Sequence, residues 1–458
     1  MTTNPAVSVA VADRRPLPHL LVFPFPAQGH LLPLLHLSTH LATRFAFSIT
    51  VIITPKNLPL IQPFLSSSSQ IHPLVLPLPP SSSLPSGAEH IRTLPDGTPS
   101  AALIHALSSL RPSILRWAKS QSNPPSALIS DFFLGWCVNL AADLQISHVS
   151  FFPVSALLAA ILHPLFLSLP PPSSTPVSVS PSLPSFPFPH LPSVFRRYVP
   201  GNPDWDFTRE SFLSNSISSA AIFDTFDFFD SHYLSHLRSS SYASGRLFAV
   251  GPIPRAVPES DNSNIFPYLD SCPPNSVVYI CFGSQFTTGP ALAAAISAGL
   301  ESSGVRFVWA VGTAAPEEFN GKGKVVKGWV PQRAVLEHVA VAAFVTHCGW
   351  NSVLEGLVAG VLLLAWPMEA DQFVNAKLLV EDAGVAVRIC EGGPGKLPDA
   401  TELGRLIGEA VEEGSWPALR LKAAEMARKA KEAVAEGGSS FLAVEEMVKL
   451  LKQATTED

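Results

Sequence analysis

Short runs of β-branched and apolar residues alternate along this chain with stretches whose apolar positions recur at helical spacing. In the first half the runs fall at 19–25, 47–54, 74–78 and 127–131, and helical patterns begin near His30, span 101–119 and restart at Gly135. The alternation resumes further on, with runs at 276–282, 305–311, 341–346 and 361–365 and helices over 292–303, from Trp350 and from Gln372. Strands followed by crossover helices predict parallel sheets covered on both faces. Two Pro- and Ser-rich stretches, 66–86 and 168–193, lack backbone donors and are expected to be irregular surface loops. The apolar run 151–169 approaches membrane-spanning length, but Pro153, His163 and Pro164 interrupt it, so it is assigned to a buried strand and helix.

A Pro, Ser and Asn stretch at 250–264 breaks the pattern as a linker does. It divides the chain into an α/β domain over 1–250 and a second over 251–440. A terminal helix over 441–458 is expected to pack back on the first domain. In open α/β sheets ligands sit outside the carboxyl ends of the strands, so chemistry should lie just after strands, in a cleft between the domains.

Composition narrows the choice. The chain has 458 residues, 47% hydrophobic and 14% charged, against about 25% charged in an average globular protein. Its net charge is −6 and no Lys/Arg-rich run is present, which argues against nucleic acid as a partner. Five dispersed cysteines form no CxxC pair, and the first twenty residues show no secretory pattern; a cytoplasmic location is expected.

Three places carry candidate chemistry. In Phe25-Pro26-Ala27-Gln28-Gly29-His30 a strand ends and a His stands where a helix begins. The positive end of the helix disfavours imidazolium, leaving a ring able to accept a proton, although a His at a helix start, read alone, is more often structural. Leu128-Ile129-Ser130-Asp131 delivers a carboxylate at the end of a strand, where it could orient a His or cap the following helix. The densest signal is 329–372: a strand is followed by His347, Gly349, Asn351 and Ser352 at a helix start, with Glu355 one turn later. Free amides and polar donors at a helix N-terminus suit a diphosphate, and the Glu can accept from ribose hydroxyls. Asp371 and Gln372 follow the next strand with groups suited to sugar hydroxyls. His36 and His40, four residues apart, lack an HExxH context and are assigned to packing.

This 44-residue stretch resembles the signature box of plant UDP-dependent glycosyltransferases of the secondary-metabolite type, in its Trp, Pro-Gln, His-Cys-Gly-Trp-Asn-Ser, Glu and terminal Asp-Gln. The likeness extends to the early Pro-Phe-Pro-Ala-Gln-Gly-His, to Asp131, to 278–284 and to Gly437-Gly438-Ser439-Ser440. Trp366-Pro367-Met368-Glu369-Ala370-Asp371-Gln372-Phe373-Val374-Asn375-Ala376 is most similar to the branch acting on flavonoids and simpler phenolics.

The resemblance implies two facing Rossmann-like α/β domains (GT-B), with the acceptor mainly in the first and the UDP-sugar mainly in the second. It implies that Trp329, with Val330 beside it, stacks on uracil, that Gln332 bonds base or ribose and that Glu355 holds the ribose. His347, Asn351, Ser352 and Ser284 would hold the diphosphate, and Trp350, Asp371 and Gln372 the sugar. His30 would deprotonate the acceptor, steadied by Asp131, in an inverting transfer without a metal or other cofactor, by a monomer. Terminal Gln372 favours UDP-glucose by resemblance, with rhamnose, xylose or galactose donors as alternatives. Three positions depart from the pattern: Leu362 replaces Pro, Ala342 replaces Gly, and Pro153 stands near where many relatives present a Thr to the sugar. No GxGxxG follows an early strand and no Gly-x-Ser-x-Gly is present, which disfavours a dehydrogenase and a serine hydrolase. A binding protein that has lost activity is the non-enzyme alternative.

Overall fold

The computed structural model describes residues 16–95, 99–256, 264–283, 286, 288–311, 321–393 and 395–453. The first sheet holds β1 (His19–Phe23), β2 (Ser48–Ile53), β3 (Ile71–Val75), β4 (Ala127–Asp131), β5 (Ser147–Phe152), β6 (Ala220–Phe223) and β7 (Leu247–Ala249), in the order β3-β2-β1-β4-β5-β6-β7. The second holds β8 (Val277–Cys281), β9 (Arg306–Val311), β10 (Gly323–Lys327), β11 (Val341–Thr346), β12 (Leu362–Ala365) and β13 (Ala386–Arg388), in the order β10-β9-β8-β11-β12-β13. Every pairing in both sheets is parallel.

Strand order reverses direction between β1 and β4 in one sheet and between β8 and β11 in the other, which opens a crevice at each carboxyl edge. His30 follows β1 and Asp131 ends β4; His347 follows β11. The strand order therefore gathers residues about a hundred positions apart. β1 and β4 are buried at every position, as expected of strands covered on both faces.

Several elements depart from the sequence pattern. The run expected at 74–78 starts earlier, as β3, and includes Pro73; an edge strand tolerates a residue without an N–H. The pattern over 101–119 is two helices, Ser100–Ser108 and Arg111–Lys119, the second beginning with Pro112 in its first turn. The run 151–169 resolves into the end of β5 and the helix Ala156–Ser168. Among the described residues no helix is long and apolar enough to cross a membrane. The final helix, Ser439–Gln453, places Val444, Met447, Val448 and Leu451 in one core with Leu20, Val22 and Ile49, and Ser440 donates to the Gly251 carbonyl at 2.6 Å.

Burial drives the imidazoles of His36 and His148 down to about 3. His36 accepts the Ala256 N–H at 2.9 Å, and His148 is bonded at both nitrogens to Ser130 and Ser218. On acidification through about 6.5 the unfolded chain takes up protons at these positions that the folded chain cannot, so stability present above that pH is lost on the way down. Asp224 and Asp230, raised to about 6 by burial, act in the opposite sense as the folded state takes up their protons first. Because that offset is common to both proteins, the urea midpoint of His148→Gln should fall less than wild type between pH 6.5 and 4. Parallel pH curves would remove His148 from the acid sensitivity.

Candidate active site

β1 ends at Phe23 and the helix Gln28–Phe45 begins after an extended Ala27, putting His30 in its first turn. His30 Nδ1 lies 2.9 Å from Asp131 Oδ2. The other carboxylate oxygen accepts the Phe133 N–H at 2.9 Å, so Asp131 caps the turn Phe132–Leu134 and orients the histidine at once. Phe132 lies nearly parallel to the imidazole at 5.6 Å, while Phe133 and Phe25 close in at 4.6 and 5.6 Å. With Nδ1–H donated to a fully buried carboxylate, Nε2 keeps the lone pair. The arrangement is an oriented proton acceptor in an aromatic, low-dielectric setting.

In the second domain the helix Trp350–Ala359 starts at Gly349, and among the described residues no side chain caps its first amides. His347 is wedged between two glycines: a β-carbon at Gly349 would lie 2.4 Å from its Nε2, and one at Gly283 2.5 Å. Burial pushes its imidazole down to about 4, and its Nδ1 is buried with no hydrogen-bond partner among the described residues. It is therefore a neutral group at pH 7.

Gln332 opens the helix Gln332–Leu336, and its amide donates to Ser352 Oγ at 2.9 Å and to Glu355 Oε2 at 2.7 Å. Glu355 Oε1 pairs with the guanidinium of Arg255. Trp329, three residues before Gln332, is exposed, and Val330 next to it is buried. Asn351 reaches across the cleft to donate to the Gly29 carbonyl at 3.1 Å.

Asp371 precedes the helix Gln372–Lys377; burial raises its carboxyl, and the hydrogen bond from Asn375 opposes that shift. The Gln372 carbonyl accepts the N–H groups of Met368 and Glu369, both at 2.8 Å, which leaves its NH2 as the donating end.

The structure thus brings His30, Asp131, Asn351 and Asp371 to one cleft, and Gln332, Ser352 and Glu355 to one cluster. Ser284 lies outside the described residues. Trp350 departs from a sugar-facing role: its indole N–H donates to the Asp224 carbonyl at 2.6 Å and its ring packs near Phe229. Its side chain is committed to the first domain, and what it can offer a ligand is its backbone amide. Asp204 and Asp206, an Asp-x-Asp pair of the kind some glycosyltransferases use for a cation, lie in the first turn of the helix Pro203–Ser214 and are bonded to His105 and to Tyr198, each at 2.7 Å.

Two residues escaped the sequence reading. Fully buried Asn375 donates to Asp371 Oδ2 at 2.8 Å and to the Cys348 carbonyl at 2.9 Å, while Ser155 donates to its oxygen at 3.3 Å. Its position four residues after Asp371 on a helix was a usable signal. Arg255, in the linker, carried none.

Comparison with known proteins agrees with this architecture. Residues 249–394 match the family described as UDP-glucoronosyl and UDP-glucosyl transferase. The chain is 41% identical to a flavonol 3-O-glucosyltransferase of Arabidopsis thaliana, covering 92% of this chain and 93% of the relative. It is 42% identical to the UDP-glycosyltransferase 89A2 of Arabidopsis thaliana, over 94% of this chain and 95% of the other. Crystal structures of Arabidopsis thaliana UGT89C1 complexed with UDP-L-rhamnose and with quercetin superpose with a TM-score of 0.80 at 32% identity, covering 95% of this chain and 100% of that one. The chain belongs to the plant UDP-dependent glycosyltransferases, in the branch that includes the flavonol enzymes, and is a glycosyltransferase.

Proposed function

We propose that the protein transfers glucose from UDP-glucose to a hydroxyl of a small hydrophobic phenol such as a flavonoid, inverting the anomeric carbon without a metal, as a cytoplasmic monomer. The observation that carries this reading is the His30–Asp131 pair facing, through the Asn351–Gly29 bond, the uncapped start of Trp350–Ala359. His30 Nε2 takes the phenol proton as the phenol oxygen bonds to the anomeric carbon. The bond from that carbon to the diphosphate breaks on the opposite face, and its electrons leave with UDP. Asp131 stabilises the imidazolium, and a phenol with pKa near 10 needs no stronger base.

Charge developing on the leaving diphosphate meets the amides of Asn351 and Ser352 and the neutral His347. Ser284 belongs to the same group in this reading. Trp329 and Val330 receive the base, Gln332 and Glu355 the ribose, and Asp371 and Gln372 the sugar, together with the Trp350 amide. The relatives support the substrate classes: one is named for glucosyl transfer to flavonols, and a solved neighbour holds quercetin. A rhamnosyl donor is the second reading, favoured by that neighbour's complex with UDP-L-rhamnose, while Pro153 leaves the donor sugar open.

Mass spectrometry of reactions containing EDTA, pairing UDP-glucose, UDP-rhamnose, UDP-xylose and UDP-galactose with a flavonol and a simple phenol, tests all of this. A hexose adduct from UDP-glucose is expected. A product with another donor alone would overturn the glucose assignment, and ligand protection without turnover would point to a binding protein.

Gly349→Ala offers a check on the diphosphate assignment. Its backbone, at φ −62, tolerates alanine, so the penalty is the β-carbon against His347. UDP affinity should fall about tenfold or more as the imidazole is driven from its place. Calorimetry showing unchanged UDP binding would dissociate His347 from the diphosphate.

A further inference from the structure

The turn after β12 that carries Asp371 and Gln372 is held from both domains. Ala370 sits in the left-handed region at φ 57, and the bonds that close the turn come from the Gln372 side chain and from Gln372 N–H to the Glu369 carbonyl at 3.1 Å. Within the second domain Asn375 also holds the Asp371 carboxylate at 2.8 Å and the Gly393 N–H donates to the Pro367 carbonyl at 3.0 Å, and the other domain adds its own restraints. Arg196 donates to Glu369 Oε1 at 2.6 Å while its Nε holds the Leu191 carbonyl at 2.9 Å. Ser193 N–H donates to the Ala370 carbonyl at 3.0 Å. The His190 ring stacks on Phe373 at 4.4 Å and 16°. First-domain residues thus grip positions 369, 370 and 373, and leave the side chains of Asp371 and Gln372 to the cleft.

We propose that the segment 190–196 is a positioning strap for the donor sugar, with Arg196 its specificity-determining residue. The proposal rests on the reading of Asp371 and Gln372 as sugar-binding. Hexoses that differ only in one axial or equatorial hydroxyl are told apart by where an acceptor and a donor stand, and a displacement of about 1 Å is enough to blur the distinction. The strap fixes those two groups relative to His30, which belongs to the same domain as Arg196. It also continues the Pro- and Ser-rich segment 168–193, so that sequence variation on the acceptor side reaches sugar choice through Glu369. UDP itself, on Gln332, Glu355 and the start of Trp350–Ala359, lies outside the strap's reach.

The test compares wild type with Arg196→Ala, Glu369→Ala and the exchanged pair Arg196→Glu with Glu369→Arg. Donor KM, kcat and the ratio of turnover with UDP-glucose to that with UDP-galactose are measured, with UDP affinity by calorimetry. Each single variant should raise donor KM about tenfold and narrow the ratio, with UDP affinity unchanged; the exchanged pair should recover much of both. Unaltered KM and ratio, or a parallel loss of UDP affinity, overturns the strap. A wild-type protein that transfers no sugar overturns the functional reading itself, and is recognised before any variant is compared.

Discussion

Replacing His30 with alanine is expected to lower kcat for transfer to an ordinary phenol about a hundred- to ten-thousandfold, the range lost when a positioned general base is removed. UDP affinity should not change. The imidazole is bonded to Asp131 and enclosed by Phe25, Phe132 and Phe133, all in the first domain, and the cross-domain bond from Asn351 goes to the Gly29 backbone. Acceptor acidity supplies a sharper criterion than the loss alone. A phenol bearing electron-withdrawing groups, already ionised at pH 7, has no proton for His30 to take, so it should be transferred by the variant nearly as well as by wild type. An equal loss for acidic and ordinary phenols would show that the ring orients the acceptor rather than deprotonating it.

What the sequence showed about this site depended on how local each signal was. The turn 25–30, the carboxylate of Asp131 and the helix start at Trp350 were each readable, because a strand end followed by Gly, His or Asp has a limited set of uses. For Asp131, orienting a His and capping a turn looked like alternatives, yet its two oxygens serve both. Less visible were β6 and β7, four and three residues long, whose apolar composition cannot be told from a short buried helix by periodicity. β10, Gly323–Lys327, alternates too weakly to stand out. Contacts across the cleft were illegible for a different reason. Trp350 to Asp224 and Arg196 to Glu369 join segments that only the folding of two domains brings together, Arg255 to Glu355 joins the linker to a helix a hundred residues on, and nothing in their neighbours along the chain announces the partner.

Glu355→Ala should act on the nucleotide end alone, raising donor KM and UDP Kd by the same factor of about ten to a hundred. The carboxylate holds Gln332 through one oxygen and Arg255 through the other, so its removal disorganises two groups beside the proposed ribose site as well as deleting an acceptor. Ribose contacts are present equally in the ground state and the transition state, so kcat should stay within a few-fold of wild type and acceptor preference should not move. Glu355→Gln keeps an oxygen for Gln332 and loses the charge that Arg255 meets, which predicts a smaller rise. The contrast with the other variants gives the result its weight: His30→Ala changes kcat without UDP affinity, Arg196→Ala changes sugar discrimination without UDP affinity, and Glu355→Ala changes UDP affinity without sugar discrimination. If Glu355→Ala instead altered the ratio of UDP-glucose to UDP-galactose turnover, or left UDP affinity unchanged, the division of the cleft into base, sugar and nucleotide regions would fail at its nucleotide end, and the carboxylate would be a brace for the linker through Arg255.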